Sequence, residues 1–205
     1  MKTFFNLILL LSILSIIIYF SEICKSNLKT YKQFVQSSIC KRLINSATHF
    51  KQSRTISGNT KTINSNRTSS SMFYYDGENT DVDNLKLKVS KLLNVKLSHF
   101  EPAQITKYDK NQEYKYHYDY FNTNIGSQRR YTALMYLNSV PIKNGGQTKF
   151  YLGDSVQPEC GKLIVWENTN ENGMKMHKTL HCGKPIKGDF QKYIITFWTR
   201  HDPIN

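Results

Sequence analysis

Beyond residue 100 the chain breaks into short apolar or aromatic runs, at residues 104–108, 116–121, 131–137, 148–152, 162–166 and 193–199, separated by turn formers such as Lys143-Asn144-Gly145-Gly146 and Pro158-Glu159-Cys160-Gly161. Runs this short cannot supply long helices, and their spacing predicts the strands of a β-sandwich or jelly roll. Upstream the periodicity changes. Residues 35–50 carry Ile39, Leu43, Ile44 and Phe50 near helical spacing, and residues 82–97 offer Leu85, Leu87, Val89, Leu92 and Leu93 as a buried stripe. Each segment predicts an amphipathic helix. Residues 58–66 are rich in turn formers and predict a loop. The expected fold class is α+β, mainly β: a jelly roll flanked by helices, with no internal repeat.

The amino terminus adds a different element. Residues 3–20 have no charged side chain and are almost wholly apolar, and as a helix they would extend roughly 27 Å, near the thickness of a bilayer core. They predict a membrane-spanning signal anchor. A cleaved signal peptide fits less well, because its apolar core is usually roughly 7–15 residues and Ser21-Glu22-Ile23-Cys24 is a poor small-residue cleavage site. The expected organisation is an anchor over 1–25, a polar stalk over 26–36 and one folded domain over 37–205. Lys25, Lys29 and Lys32 beyond the span outnumber Lys2 before it, so charge alone would hold the domain in the cytoplasm. The expected compartment is nevertheless the endoplasmic reticulum or secretory pathway, where Asn66-Arg67-Thr68 is an acceptor sequon whose glycosylation would establish a lumenal domain.

Composition narrows the partners only partly. The 28 basic residues against 15 acidic ones give a net charge of +13 and favour anionic partners. The lysines are scattered, with no dense basic run interleaved with aromatics, which argues against a nucleic-acid partner. Cys24, Cys40, Cys160 and Cys182 have no C-x-x-C spacing. That argues against a structural zinc site and permits at most two disulfides.

One cluster carries chemistry. In Tyr116-His117-Tyr118-Asp119-Tyr120-Phe121, an imidazole and a carboxylate stand two residues apart, and on a strand such side chains share a face and can reach one ion. A second histidine downstream, His177 or His181, would complete two imidazoles and one carboxylate. That ligand set leaves the opposite positions of the metal open, as in non-haem Fe(II) oxygenases. His49, His99 and His201 have no ligand partner at useful spacing.

The surroundings of this pair form an ordered series: Tyr108-x-x-Asn111-Gln112-x-Tyr114-x-x-His117-x-Asp119-x-Phe121, Gln128-Arg129, Tyr136-Leu137-Asn138, Gly145-Gly146-Gln147-Thr148-Lys149-Phe150, Leu180-His181-Cys182-Gly183-Lys184-Pro185-Ile186 and Lys192-Tyr193. Upstream stands Arg67-Thr68-Ser69-Ser70-Ser71-Met72-Phe73. Over residues 39–200 the series resembles the catalytic domain of prolyl 4-hydroxylases, dioxygenases dependent on Fe(II) and 2-oxoglutarate. The resemblance implies a double-stranded β-helix, with iron held by His117, Asp119 and His181; the Leu-His-x-Gly-x-Pro context selects His181 over His177. It implies hydroxylation of proline in a peptide or protein, with 2-oxoglutarate converted to succinate and ascorbate as auxiliary reductant. Whether a partner subunit exists is not legible.

The resemblance also implies the remaining site. The distal carboxylate of 2-oxoglutarate needs a buried cation, for which Lys192 is expected, since an anionic partner offsets the cost of burying an ammonium. Tyr108, Tyr136 and Thr148 are expected near the cosubstrate as hydroxyl donors. Arg129, Tyr114 and Trp198 match positions that contact the peptide, where aromatic faces suit an extended proline-containing strand. Departures from the family pattern are Asn111 and Ser71 in place of glycine, Lys184 in place of cysteine, Tyr193 in place of tryptophan, and one extra residue within Asp189-Phe190-Gln191. If the extra residue is absorbed in a bulge, Lys192 points inward; if not, strand alternation turns it outward. Rival readings are a related dioxygenase acting on lysine, a small amino acid or a nucleic-acid base, and a jelly-roll module that binds metal without turnover.

Overall fold

The computed structural model describes residues 27–57, 60–122 and 126–204. In chain order these hold β1 (Lys29–Tyr31), α1 (Ser37–Ser46), β2 (Lys51–Gln52), β3 (Thr55–Ser57), β4 (Thr60–Thr62), β5 (Ser70–Tyr74), α2 (Thr80–Leu93), β6 (Ala103–Tyr108), β7 (Tyr114–His117), β8 (Arg129–Tyr136), β9 (Thr148–Phe150), β10 (Ser155–Val156), β11 (Leu163–Glu167), β12 (His181–Gly183) and β13 (Lys192–Arg200). The anchor expected over residues 3–20 lies outside the described residues, among which no helix is long and apolar enough to cross a membrane.

Two antiparallel sheets form the expected sandwich. The major sheet runs β1-β11-β8-β13-β6-β5-β2 and the minor sheet β10-β9-β12-β7. Strand alternation divides the major sheet's side chains between two cores. Ile105, Met135, Leu163, Ile195 and Phe197 pack outward with Cys40 and Leu43 of α1 and Val82, Leu85 and Val89 of α2. Their neighbours Tyr108, Leu134, Tyr136, Ile164, Trp166 and Ile194 turn the other way and meet Phe150 and Ile186 between the sheets. Functional side chains line the second core.

Several expectations are corrected in detail. Residues 29–31, read as part of a stalk, pair with β11 from Lys29↔Val165 to Tyr31↔Leu163 and extend the sheet. Part of the loop expected over 58–66 is strand, since β4 pairs with β3. The second helix begins earlier and ends earlier than expected: Asn79 caps it by accepting from the Asp81 and Val82 amides, and Asn94 closes it with φ 51°. Its buried residues are Val82, Leu85, Lys86 and Val89, at helical spacing, which leaves Leu87 and Leu92 exposed rather than in the expected stripe.

Candidate metal centre and cosubstrate pocket

Three ligand groups converge where β7 and β12 pair side by side. The register sets His181 opposite His117, and Asp119, expected on the same strand as His117, instead lies two residues beyond the end of β7. The donor atoms of His117, Asp119 and His181 all lie within 4.8 Å of one another; His117 Nε2 is 3.7 Å from Asp119 Oδ1, and His181 Nε2 is 4.0 Å from Asp119 Oδ2. His177 is not in the cluster: it sits exposed in a 3-10 turn, with its carbonyl accepting from the Tyr118 hydroxyl.

The backbone prepares both imidazoles. His117 Nδ1 lies 2.8 Å from the Lys115 carbonyl and His181 Nδ1 2.8 Å from the Thr179 carbonyl. A carbonyl only accepts, so each Nδ1 carries a proton, and Nε2 is the nitrogen that each ring turns toward Asp119. Burial, with His181 adding to it, pushes the His117 pKa down to about 3, so this ring is neutral at physiological pH. For Asp119, burial acts to raise the pKa, but His181, His117, Arg129 and the Trp198 N–H outweigh it and hold the carboxyl below its ordinary range. Two imidazole Nε2 atoms and one carboxylate converging on one point fit a divalent metal of intermediate softness.

Lys192 points inward. The extra residue is taken up in the loop before β13, so alternation along the strand is undisturbed: Lys192 pairs with Tyr108 and Ile194 with Tyr136. The lysine is 1% exposed. Its Nζ donates to the Gly146 carbonyl at 3.0 Å and lies 4.1 Å from the Tyr108 ring centroid. Among the described residues no carboxylate pairs with it. Burial pushes its pKa down to about 7, as expected of an ammonium lacking an anion. Gly183 keeps the adjoining space open, because a Cβ there would stand 3.4 Å from Lys192 Nζ and 3.5 Å from the Tyr108 hydroxyl. Tyr108, Tyr136 and Thr148 are buried around it; burial raises the pKa of both phenols and keeps them protonated donors. Thr148 is paired with Gly183.

The known proteins most like this chain bear on the same residues. The model of the 2OG-Fe(II) oxygenase superfamily matches residues 103–200. Probable prolyl 4-hydroxylase 10 of Arabidopsis thaliana is 30% identical over 198 residues, covering 83% of this chain and 67% of the relative. The chain belongs to the prolyl 4-hydroxylase family. It spans 67% of that relative and of probable prolyl 4-hydroxylase 3 of the same plant, and 48% of probable prolyl 4-hydroxylase 7. Among solved structures, the viral collagen prolyl hydroxylase of Paramecium Bursaria Chlorella virus-1, in complex with 2OG, is 26% identical with a TM-score of 0.70, over 85% of this chain and 96% of that one. A Pseudomonas putida prolyl-4-hydroxylase shares the fold at 18% identity and a TM-score of 0.63, over 89% of this chain and 96% of that one.

The residues expected at the peptide also contact the metal cluster and one another. Tyr114 stacks on His117, ring centroids 3.4 Å apart and planes 13° apart, with the Arg67 guanidinium 4.8 Å from its ring. Trp198 is turned toward the carboxylate, and its indole N–H donates to Asp119 Oδ2 at 3.0 Å. Arg129 is clamped by Glu101 through Nε and Nη2 at 2.8 and 2.6 Å and lies 3.8 Å over the Trp198 ring. The reason is electrostatic: a buried guanidinium needs an anion, and Glu101 supplies it. Glu101, Thr132, Asn168 and the buried Arg67 were not singled out as functional residues. Most of their partners lie far along the chain, and only the Arg67 element carried a motif signal.

Proposed function

We propose that this chain hydroxylates proline in a peptide, using Fe(II), 2-oxoglutarate and dioxygen, with iron held by His117, Asp119 and His181. The observation that carries the reading is the pair of imidazole Nε2 atoms, oriented by backbone carbonyls at Nδ1, facing one carboxylate. Family membership supports it, as does the collagen prolyl hydroxylase among the structural relatives. When bound, iron with 2-oxoglutarate supplies the oxidising chemistry: dioxygen is reduced, 2-oxoglutarate becomes succinate and carbon dioxide, and an unactivated carbon is hydroxylated.

The chain's own residues bind and orient. Lys192 receives the distal carboxylate of 2-oxoglutarate as a charge-assisted partner, with the Tyr108 hydroxyl and Thr148 beside it and Tyr136 buried in the same core. Aromatic and aliphatic side chains between the sheets keep water from this pocket. Tyr114 borders the peptide; Arg129 and Trp198 act through Asp119 in this reading, which moves them from the contact role expected of them. Ascorbate completes the proposed cofactor set as a reductant. Residues 3–20 are proposed as a single-pass anchor and the secretory pathway as the compartment. A mobility shift on endoglycosidase treatment, lost in Asn66→Gln, would support that placement.

The test of substrate class is a panel. Succinate release stimulated by proline-rich peptides, and not by lysine peptides, free amino acids or alkylated bases, is the expected result. Stimulation by one of the others instead moves the substrate, and no succinate with any of them would favour a binding module.

A further inference from the structure

A one-way chain of hydrogen bonds runs from β11 to the metal cluster. Trp166 Nε1 donates to Asn168 Oδ1 at 2.9 Å, Asn168 Nδ2 donates to Thr132 Oγ1 at 2.8 Å, and Thr132 Oγ1 donates to Asp119 Oδ2 at 2.8 Å. The direction is not adjustable. An indole N–H can only donate, which forces the Asn168 amide to present its oxygen to Trp166 and its NH2 to Thr132. With an N–H already pointing at its oxygen, Thr132 turns its single proton to the carboxylate, which can only accept. Thr132, Asn168 and Trp166 are 0%, 1% and 1% exposed, so bulk water cannot replace a missing member.

Two consequences meet at Asp119. Oδ2 accepts from both Thr132 and Trp198, which fills its two lone-pair directions. Oδ1 carries no hydrogen bond among the described residues; it stands 3.7 Å from His117 Nε2 and 3.9 Å from Arg129 Nη1. Trp166, where the chain begins, also packs edge-on against the His181 ring at 4.8 Å and against Phe150 at 5.3 Å. One buried array thus braces two of the three ligands.

We propose that Trp166, Asn168 and Thr132 are positioning residues, whose proton order caps Asp119 Oδ2 and leaves Oδ1 as the one oxygen offered to a divalent metal. A carboxylate held this way occupies one coordination position instead of two, and outer partners of this kind commonly change metal affinity by about 10–100-fold. The inference rests on the metal reading above, and the experiment separates the two. Co(II) is added anaerobically to the full chain, with affinity measured by calorimetry and ligand-field bands recorded in the visible.

Wild type is expected to bind one Co(II) in a site that His181→Ala abolishes; if it binds none, the metal reading and this inference fall together. Thr132→Val keeps the shape and removes the donor. Asn168→Asp keeps the acceptor for Trp166 and removes the N–H that orients Thr132. Both are expected to weaken Co(II) binding at least about tenfold and to shift its bands, whereas Thr132→Ser, which restores the hydroxyl, is expected to stay within about threefold of wild type on the same scale. A merely structural role would lower the melting temperature without moving the bands. If wild type binds Co(II) and the folded Thr132→Val or Asn168→Asp matches it in affinity and spectrum, the positioning role is overturned while the metal reading stands; should one variant not fold, the other decides.

Discussion

His117 and His181 each hold an Nδ1 proton on a backbone carbonyl, so removing either imidazole removes a donor that nothing nearby can replace. His181→Ala is therefore expected to lose Fe(II) binding and succinate formation while unfolding at a temperature close to wild type; retained turnover would break the ligand assignment. Lys192→Met keeps the apolar stem and deletes the charge. Loss of a charge-assisted pair of about 1.5–3 kcal/mol raises the KM for 2-oxoglutarate by about 10–100-fold, measurable by varying cosubstrate at fixed peptide. The lysine also sets a pH dependence. With its pKa depressed by burial to about 7, it is charged below neutrality and loses its proton as pH rises, whereas a bound carboxylate favours the ammonium. Binding above pH 7 takes up a proton, so 2-oxoglutarate affinity falls by up to about tenfold per pH unit, and calorimetry at pH 8 in buffers of different ionisation heat reads that uptake directly. Without ligand the sign reverses: between about 7 and the ordinary 10.5 the unfolded chain binds more protons, so stability rises with pH. The cluster of His117, Asp119 and His181 and this lysine were legible through the family motifs around them, which separate His181 from His177. The lysine's direction was not, since an extra residue in a loop and one in a strand read alike in sequence.

At the scale of elements, β6, β8, β9, β11 and β13 were legible within a few residues because alternation and turn formers mark them, whereas the run expected over 116–121 is strand only as far as His117, and β1 to β5, β10 and β12 carried no such mark. The second helix was placed, but its face was misjudged: Leu87 and Leu92 are 41% and 36% exposed, and the stripe includes Lys86 instead, whose Nζ reaches Asp76. A leucine-rich run hides its phase, because several faces look apolar. The caps were missed altogether, although Asn79-Thr80-Asp81 carries the composition of a helix start. Asn79→Ala is expected to lower unfolding free energy by about 1 kcal/mol, read by denaturant titration, with the KM for 2-oxoglutarate unchanged. Gly183→Ala should do the opposite. Its added carbon enters the space between Lys192 and Tyr108, so the KM rises while stability holds; an unchanged KM would mean the cosubstrate lies elsewhere.

Across the whole molecule, two sheets turn one set of side chains toward the helices and another toward the site, and the family match over residues 103–200 covers the strands that supply the ligands and the lysine. What sequence could not display was the reach of the segment before α1. Residues 29–31 add a strand at the edge of β11, and Val35 is buried against Gly161, where any Cβ would clash with the Val35 carbonyl. A chain beginning at residue 37 is therefore expected to melt at a lower temperature than one beginning at 27; equal melting would remove the segment from the folded unit. The central claim is hydroxylation of peptidyl proline at the His117, Asp119 and His181 centre. Its most direct test supplies the full chain with Fe(II), 2-oxoglutarate, a proline-rich peptide and isotopically labelled dioxygen, and follows succinate and peptide mass. One labelled oxygen on a prolyl residue is expected for each succinate formed, with both products lost in His181→Ala. Succinate formed by wild type while every such peptide remains unmodified would contradict that claim.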